Sequence, residues 1–291
     1  MSTRRLILVF AVALTLRCGA WAVLTLQGGG GDATALPDGQ PHQDMPTDEQ
    51  QFRGMLPDEQ QYLGMARSLA EGGGLRDELG FRAGRMPLFP ALLAPLTQLP
   101  RGVVWARLLL CALGAAAAAA TALLGARCFD ARVGLVAGLL VAADPYLVYF
   151  SSLILTETPF LLAMSILWWL GCGTSDSCLR TGPSALLRGA VCGLSAAACI
   201  YLREAGAALA IALAALILIR DRFKPRTYVM VLTASGVVFL LLLPWAWRNH
   251  RQLDSWVFLT TRGGITLYDG VHPQATGRSD LGDIKAMPAV K

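Results

Sequence analysis

Residues 185–220 read ALLRGAVCGLSAAACIYLREAGAALAIALAALILIR. As one helix rising about 1.5 Å per residue, the stretch would reach about 50 Å. A bilayer's hydrocarbon core is only about 30 Å thick. Arg203 and Glu204 sit at its middle, and charge at mid-bilayer is costly. The pair therefore marks a turn, and the stretch is a hairpin of two short membrane helices. The rest of the composition agrees. Of 291 residues, 54% are hydrophobic and only 15% charged, with a mean hydropathy of +0.49. Soluble domains carry roughly 25% charged residues, so an ordinary soluble enzyme, a disordered regulator and a nucleic-acid binder are excluded. The expected fold class is an all-α polytopic membrane protein, with membrane lipids as partners and no nucleic acid.

Working outward, further apolar blocks lie near 6–26, 105–126, 132–150, 153–171 and 228–247, making about seven transmembrane helices with the hairpin. The net charge of +5 matters less than its placement. Arg4 and Arg5 precede the first block, and Arg127 and Arg132 separate the second from the third. Arg180 and Arg188 lie before the hairpin, and Arg220, Arg222, Lys224 and Arg226 after it. Basic residues mark cytoplasmic turns, which puts the N-terminus inside. Residues 27–104 and 248–291 then face the extracytoplasmic side. Arg4 and Arg5 also suit a signal peptide, but Arg17 stands where small residues should end one. Arg17 before Cys18 likewise spoils a lipobox. The cysteines, Cys18, Cys111, Cys128, Cys172, Cys178, Cys192 and Cys199, mostly lie in apolar blocks and read as small buried residues. Cys172 and Cys178 fall on the cytoplasmic side, where disulfides are rare.

The first loop holds the informative chemistry. It opens with Gly28 to Gly31 and a flexible connector rich in Pro, Asp and Gln. A short tandem repeat follows: Asp48-Glu49-Gln50-Gln51, then Asp58-Glu59-Gln60-Gln61. Only the second copy continues into a helix pattern, with Pro57 and Asp58 as a start signal and Gly72 to Gly74 as a stop. Tyr62, Met65, Ala66 and Leu69 share one face, as in a helix lying on a membrane surface. Asp58 and Glu59 sit at the positive end of its dipole, which is chemistry or simply an ordinary acidic first turn. Arg85 opens a second apolar segment, 86–99, confined to the interface by Pro87, Pro90 and Pro95. It also suits a snorkelling anchor.

In this order the motifs resemble the GT-C superfamily of polyprenyl-phosphate-sugar-dependent glycosyltransferases, which includes protein O-mannosyltransferases and aminoarabinose transferases of lipid A. Asp58-Glu59-x-x-Tyr62-x-x-x-Ala66-x-x-Leu69 is similar to that family's acidic motif in the first extracytoplasmic loop. Arg85-x-Pro87-Leu88-Phe89-Pro90 is similar to its second juxtamembrane element. Asp144-Pro145-Tyr146 with Thr156-Glu157-Thr158-Pro159-Phe160 resembles its turn between spans three and four, and Leu202-Arg203 its arginine after span five. Pro244 to Asn249 and Gly264 to Tyr268 resemble the end of its seventh span and the loop beyond. The likeness runs from residue 6 to about 280 and corresponds to the family's N-terminal conserved part; family members usually continue into further helices. It implies a GT-C-like module over 1–250, with loop 27–104, and an extracytoplasmic loop over 251–291 that is cut short.

The resemblance implies displacement at the anomeric carbon of a lipid-phosphate sugar, with inversion. The donor is a polyprenyl-phosphate sugar and the acceptor an extracytoplasmic lipid, glycan or protein. Asp58 is assigned as general base, with Glu59 and Glu157 as supporting or acceptor-site carboxylates. Arg85, Arg203, Arg248 and Tyr268 are assigned to the departing phosphate. Plainer readings stand beside these: Glu157 and Arg203 neutralise each other, Arg248 anchors to headgroups, and Asp48 competes with Asp58. His42, His250 and His272 lie in unrelated contexts, so no cofactor is expected, and a divalent ion held by carboxylates alone is left open. Two other functions are weighed. A non-catalytic relic or subunit follows from the short C-terminal side. A transporter or flippase would place its charges near the midplane and show repeated halves, neither of which the sequence has.

Overall fold

A computed structural model describes residues 1–28, 55–76, 82–172 and 182–263, together with 267 and 271. All regular structure among the described residues is helical. Among the described residues, four helices are long and apolar enough to cross a membrane: Thr3–Thr25, Gly102–Cys128, Ala185–Leu202 and Pro225–Leu253. The chain divides into two compact units, Met1–Gly72 with Pro90–Gly173, and Gly73–Phe89 with Thr174–Lys291.

The first unit contains α1 (Thr3–Gly28), α2 (Pro57–Ala70), α4 (Gly102–Cys128), α5 (Ala131–Ala143), α6 (Pro145–Phe150) and α7 (Glu157–Cys172). Most of α3 (Leu88–Thr97) also belongs to it. The long helix α4 is its centre and packs on α1, α5 and α7. Lipid tails are as apolar as leucine, so such helices associate through small residues that let backbones approach. A Cβ on Gly134 of α5 would lie 2.5 Å from the Ala122 carbonyl oxygen of α4, and one on Gly138 only 2.6 Å from the Ala122 Cβ.

The block at 132–150, expected as one span, is two helices. Pro145 has no N–H and forces the residue before it out of helical geometry. Asp144 accordingly takes φ −60° and ψ 117°. Its carboxylate then accepts the Leu147 N–H at 2.9 Å and caps α6. With 13 residues, α5 is about 20 Å long, short of the bilayer core by itself. The next helix, expected from 153, starts at Glu157.

The second unit contains α8 (Gly182–Leu202), α9 (Ala205–Arg220) and α10 (Pro225–Leu253). The hairpin break expected at Arg203-Glu204 is present. Helix α8 packs on α10 by the same small-residue device, Gly193 lying under the Ala234 carbonyl. After α10, Asp254 adopts a left-handed conformation (φ 51°) and the chain turns back.

Candidate functional site

In the first unit the site is built on the first turn of α2. Pro57 occupies the first helical position, where its missing N–H costs nothing. Glu59 then reaches back, its Oε2 accepting the Leu56 N–H at 3.0 Å. Its other oxygen, Oε1, accepts the Ile154 N–H at 2.8 Å and lies 3.7 Å from Nη2 of Arg107. The Glu59 carboxylate is 1% exposed. It therefore ties three elements together: the start of α2, the turn before α7, and α4 one turn inside its start. The residue beside it, Asp58, is exposed and has a polar partner. Tyr62, Met65 and Ala66, expected with Leu69 to face a membrane surface, are instead buried against protein, and Leu69 is half-buried.

Glu157 opens α7 and lines a small cleft with Arg17, Gly114, Leu147, Phe150, Ser151, Thr158 and Leu161. Arg17 projects from α1 and is 1% exposed. Its Nη1 donates to the Ala13 and Ala142 carbonyls at 3.2 Å, Nη2 to Val141 at 3.1 Å, and Nε to Ser151 Oγ at 3.1 Å. Two of these acceptors belong to the last turn of α5, where helix carbonyls lack partners and the dipole favours a cation. The guanidinium thus seals the break between α5 and α6. Gly114 makes room for it: a Cβ there would fall 2.5 Å from both Arg17 Nε and Ser151 Oγ. Two buried polar atoms of these elements, Arg107 Nε and Ser152 Oγ, bond to nothing among the described residues. The segment 151–157 therefore gathers two carboxylates, Glu59 and Glu157, with two arginines, Arg17 and Arg107.

Three of the assigned arginines belong to the second unit. Arg248, near the end of α10, donates to the Arg82 carbonyl at 2.7 Å, to Leu75 at 2.9 Å and to Asn249 Oδ1 at 2.9 Å. It also lies 4.9 Å over the Trp245 ring. It thereby holds the backbone at Leu75 and at Arg82, and Ala83 and Met86 beside the latter pack with Ile200, Leu242 and Trp245. Arg85 and Arg203 are both half-buried and partnered. Tyr268, Asp48, His42 and His272 lie outside the described residues. His250 stacks on Trp256 with ring centroids 4.5 Å apart. Among the described residues no three His, Cys, Asp or Glu side chains gather into a metal-holding group, and the described cysteines are free thiols.

Sequence reasoning passed over Arg17 and Arg107. The signal was available: each is an ionisable residue inside an apolar span, which is expensive to keep there. Arg17 had served only to argue against a signal peptide. Protein-family models, curated proteins and solved structures were compared with the chain, and none matches.

Proposed function

We propose that the chain is a membrane glycosyltransferase that moves a sugar from a polyprenyl-phosphate donor to an extracytoplasmic acceptor. One observation carries the reading beyond the motif likeness. The buried lock of Glu59 on Leu56, Ile154 and Arg107 fixes the α2 start, so the adjacent Asp58 is exposed on a rigid turn. A general base must hold its place within hydrogen-bond reach of its proton. A locked helix terminus meets that need.

In this reading Asp58 takes the proton of an acceptor hydroxyl. The oxygen attacks the anomeric carbon from the face opposite the phosphate. The carbon–oxygen bond to the phosphate breaks, the electron pair leaves with the lipid phosphate, and the centre inverts. Glu59 acts by positioning Asp58, and Glu157 faces the acceptor side. Arg85 and Arg203 neutralise the departing phosphate and Tyr268 donates a hydrogen bond to it, while Arg248 holds the backbone at Arg82, three residues before Arg85. The membrane arrangement is seven spans with the N-terminus cytoplasmic. The α5–α6 pair counts as one broken span, and α7 and α9 as short ones.

The test is a transfer assay on reconstituted chain with a labelled polyprenyl-phosphate sugar. Asp58→Asn should abolish transfer while leaving membrane insertion unchanged, and Asp48→Asn should keep most of it. Equal losses, or a greater loss at Asp48, would remove Asp58 from the role.

A further inference from the structure

The first residues after α10, the start of the expected extracytoplasmic loop, run back along the helix. Asn249 Nδ2 donates to the Val257 carbonyl and Trp245 Nε1 to the Leu259 carbonyl, both at 2.9 Å. The register is self-consistent. Two extended residues cover about 6.7 Å, and the four helical residues from 249 back to 245 cover about 6 Å. The donors are themselves enclosed, with Asn249 0% and Trp245 4% exposed. Beyond them the Thr261 N–H donates to the Ala83 carbonyl at 3.0 Å. Exposure alternates accordingly: Trp256 and Phe258 are exposed, whereas Val257 and Leu259 are half-buried.

The two exposed rings stack on rings of α10 and extend an aromatic row. Phe239, Trp247 and His250 are spaced eight and three residues apart, so they share a face of α10. Trp256 stacks on His250 and lies 6.1 Å from Trp247; Phe258 lies 6.4 Å from Trp256 and 6.3 Å from Phe239. Phe239 is about 18 Å along the axis from Arg251. The row therefore descends well below the end of the helix, onto the side where Leu232, Leu240 and Phe239 are exposed. At its top Arg251 lies 5.3 Å over the Trp247 ring. Tryptophan with a cation above and apolar rings below matches a bilayer's headgroup boundary. Irregular backbone at membrane depth needs protein partners for its polar groups, and the Val257 and Leu259 carbonyls have them.

We infer that residues 255–259 form an interfacial strap that re-enters the membrane along α10 and presents Trp256, Phe258 and Trp247 to lipid. The strap rests on the membrane reading of α10 and is independent of the transferase reading. Its occupant is the bilayer at the acyl–headgroup boundary.

The test uses the full chain in phosphatidylcholine vesicles, with Trp256→Phe as the difference variant. The emission lost in the variant is the Trp256 signal. Lipid brominated near the headgroup end of its acyl chains should quench about half of that signal, and more than lipid brominated near the terminal methyl. Aqueous iodide should leave it nearly unchanged. Quenching by iodide without quenching by brominated lipid would put the strap in water and overturn the inference. Protection from both would mean that protein covers the face, which overturns it as well. The emission remaining in the variant separates this from failure of the membrane reading. If that emission also ignores brominated lipid, the chain is not membrane-embedded at all.

Discussion

Replacing Glu59 with glutamine keeps the shape of the side chain and removes one acceptor. In the native site both oxygens face backbone N–H donors, from Leu56 and Ile154, and Oε1 also faces Arg107. A glutamine must turn its NH2 toward one of those donors. The loss is one hydrogen bond to a charged group, about 1.5–3 kcal/mol, with a buried N–H left unsatisfied. Breaking a fully buried ion pair would add about 3–5 kcal/mol. Arg107 is 21% exposed, however, and reaches some solvent. Discounting for that, Glu59→Gln should destabilise the first unit by about 3 kcal/mol. Arg107→Met should cost less, about 1–2 kcal/mol, because Glu59 keeps its two backbone donors. The double variant should lose about 1–2 kcal/mol less than the two single losses combined, since the partners are coupled. The assay is reversible unfolding of the four proteins in mixed micelles at constant detergent composition. Strict additivity, or a loss below about 1 kcal/mol in Glu59→Gln, would show that the lock does not hold α2.

The cleft gives a second prediction. A side chain at 114 collides with Arg17 and Ser151, so Gly114→Val should cost about 1–3 kcal/mol by overpacking, read as a lower unfolding midpoint. For topology, a cysteine probe at Gln98 should label from outside intact cells, and one at Lys224 only after permeabilisation; the reverse pattern would invert the orientation. The turn between α4 and α5 gives a pH prediction. The N–H groups of Val133 and Arg132 hold the Asp130 carboxyl below its ordinary value of 3.8. A folded value lowered in this way stabilises the helix start above the ordinary value, and the contribution disappears as pH falls through the depressed one. Hydrogen exchange at Val133 should therefore speed up in acid below that range, and this acid step should be absent in Asp130→Asn.

Several placements were legible in the residues because they rest on local rules. Pro57-Asp58 started α2 and the glycines after Ala70 ended it, Gly72 and Gly74 both taking positive φ. The Arg203-Glu204 break needed only the length of an apolar run and the cost of charge within it. The Asp144 break was in view as well, since the residue before a proline leaves helical geometry, yet the apolar count of 132–150 outweighed it. Arg17 and Arg107 were not assigned because a span's hydropathy averages over its one charged residue. What repays that charge is distant in sequence: Ser151 is 134 positions from Arg17, and Ile154 is 95 from Glu59.

The sequence by itself determined that the chain is helical and suited to a membrane, where α2 starts and ends, and where the apolar run at 185–220 breaks. These follow from hydropathy, proline and glycine geometry and helix-end chemistry, all of which act over a few residues. Tertiary structure decided which of two adjacent carboxylates is buried and which is exposed. Helix periodicity favours neither Asp58 nor Glu59 for the interior; a backbone N–H at Ile154 and a guanidinium at Arg107 take Glu59. It likewise decided that the chain after α10 turns back, because that depends on Asn249 and Trp245 finding carbonyls that only the folded chain brings to them. A buried polar group is stable only when a partner meets it, and partners far apart in the chain are chosen by packing.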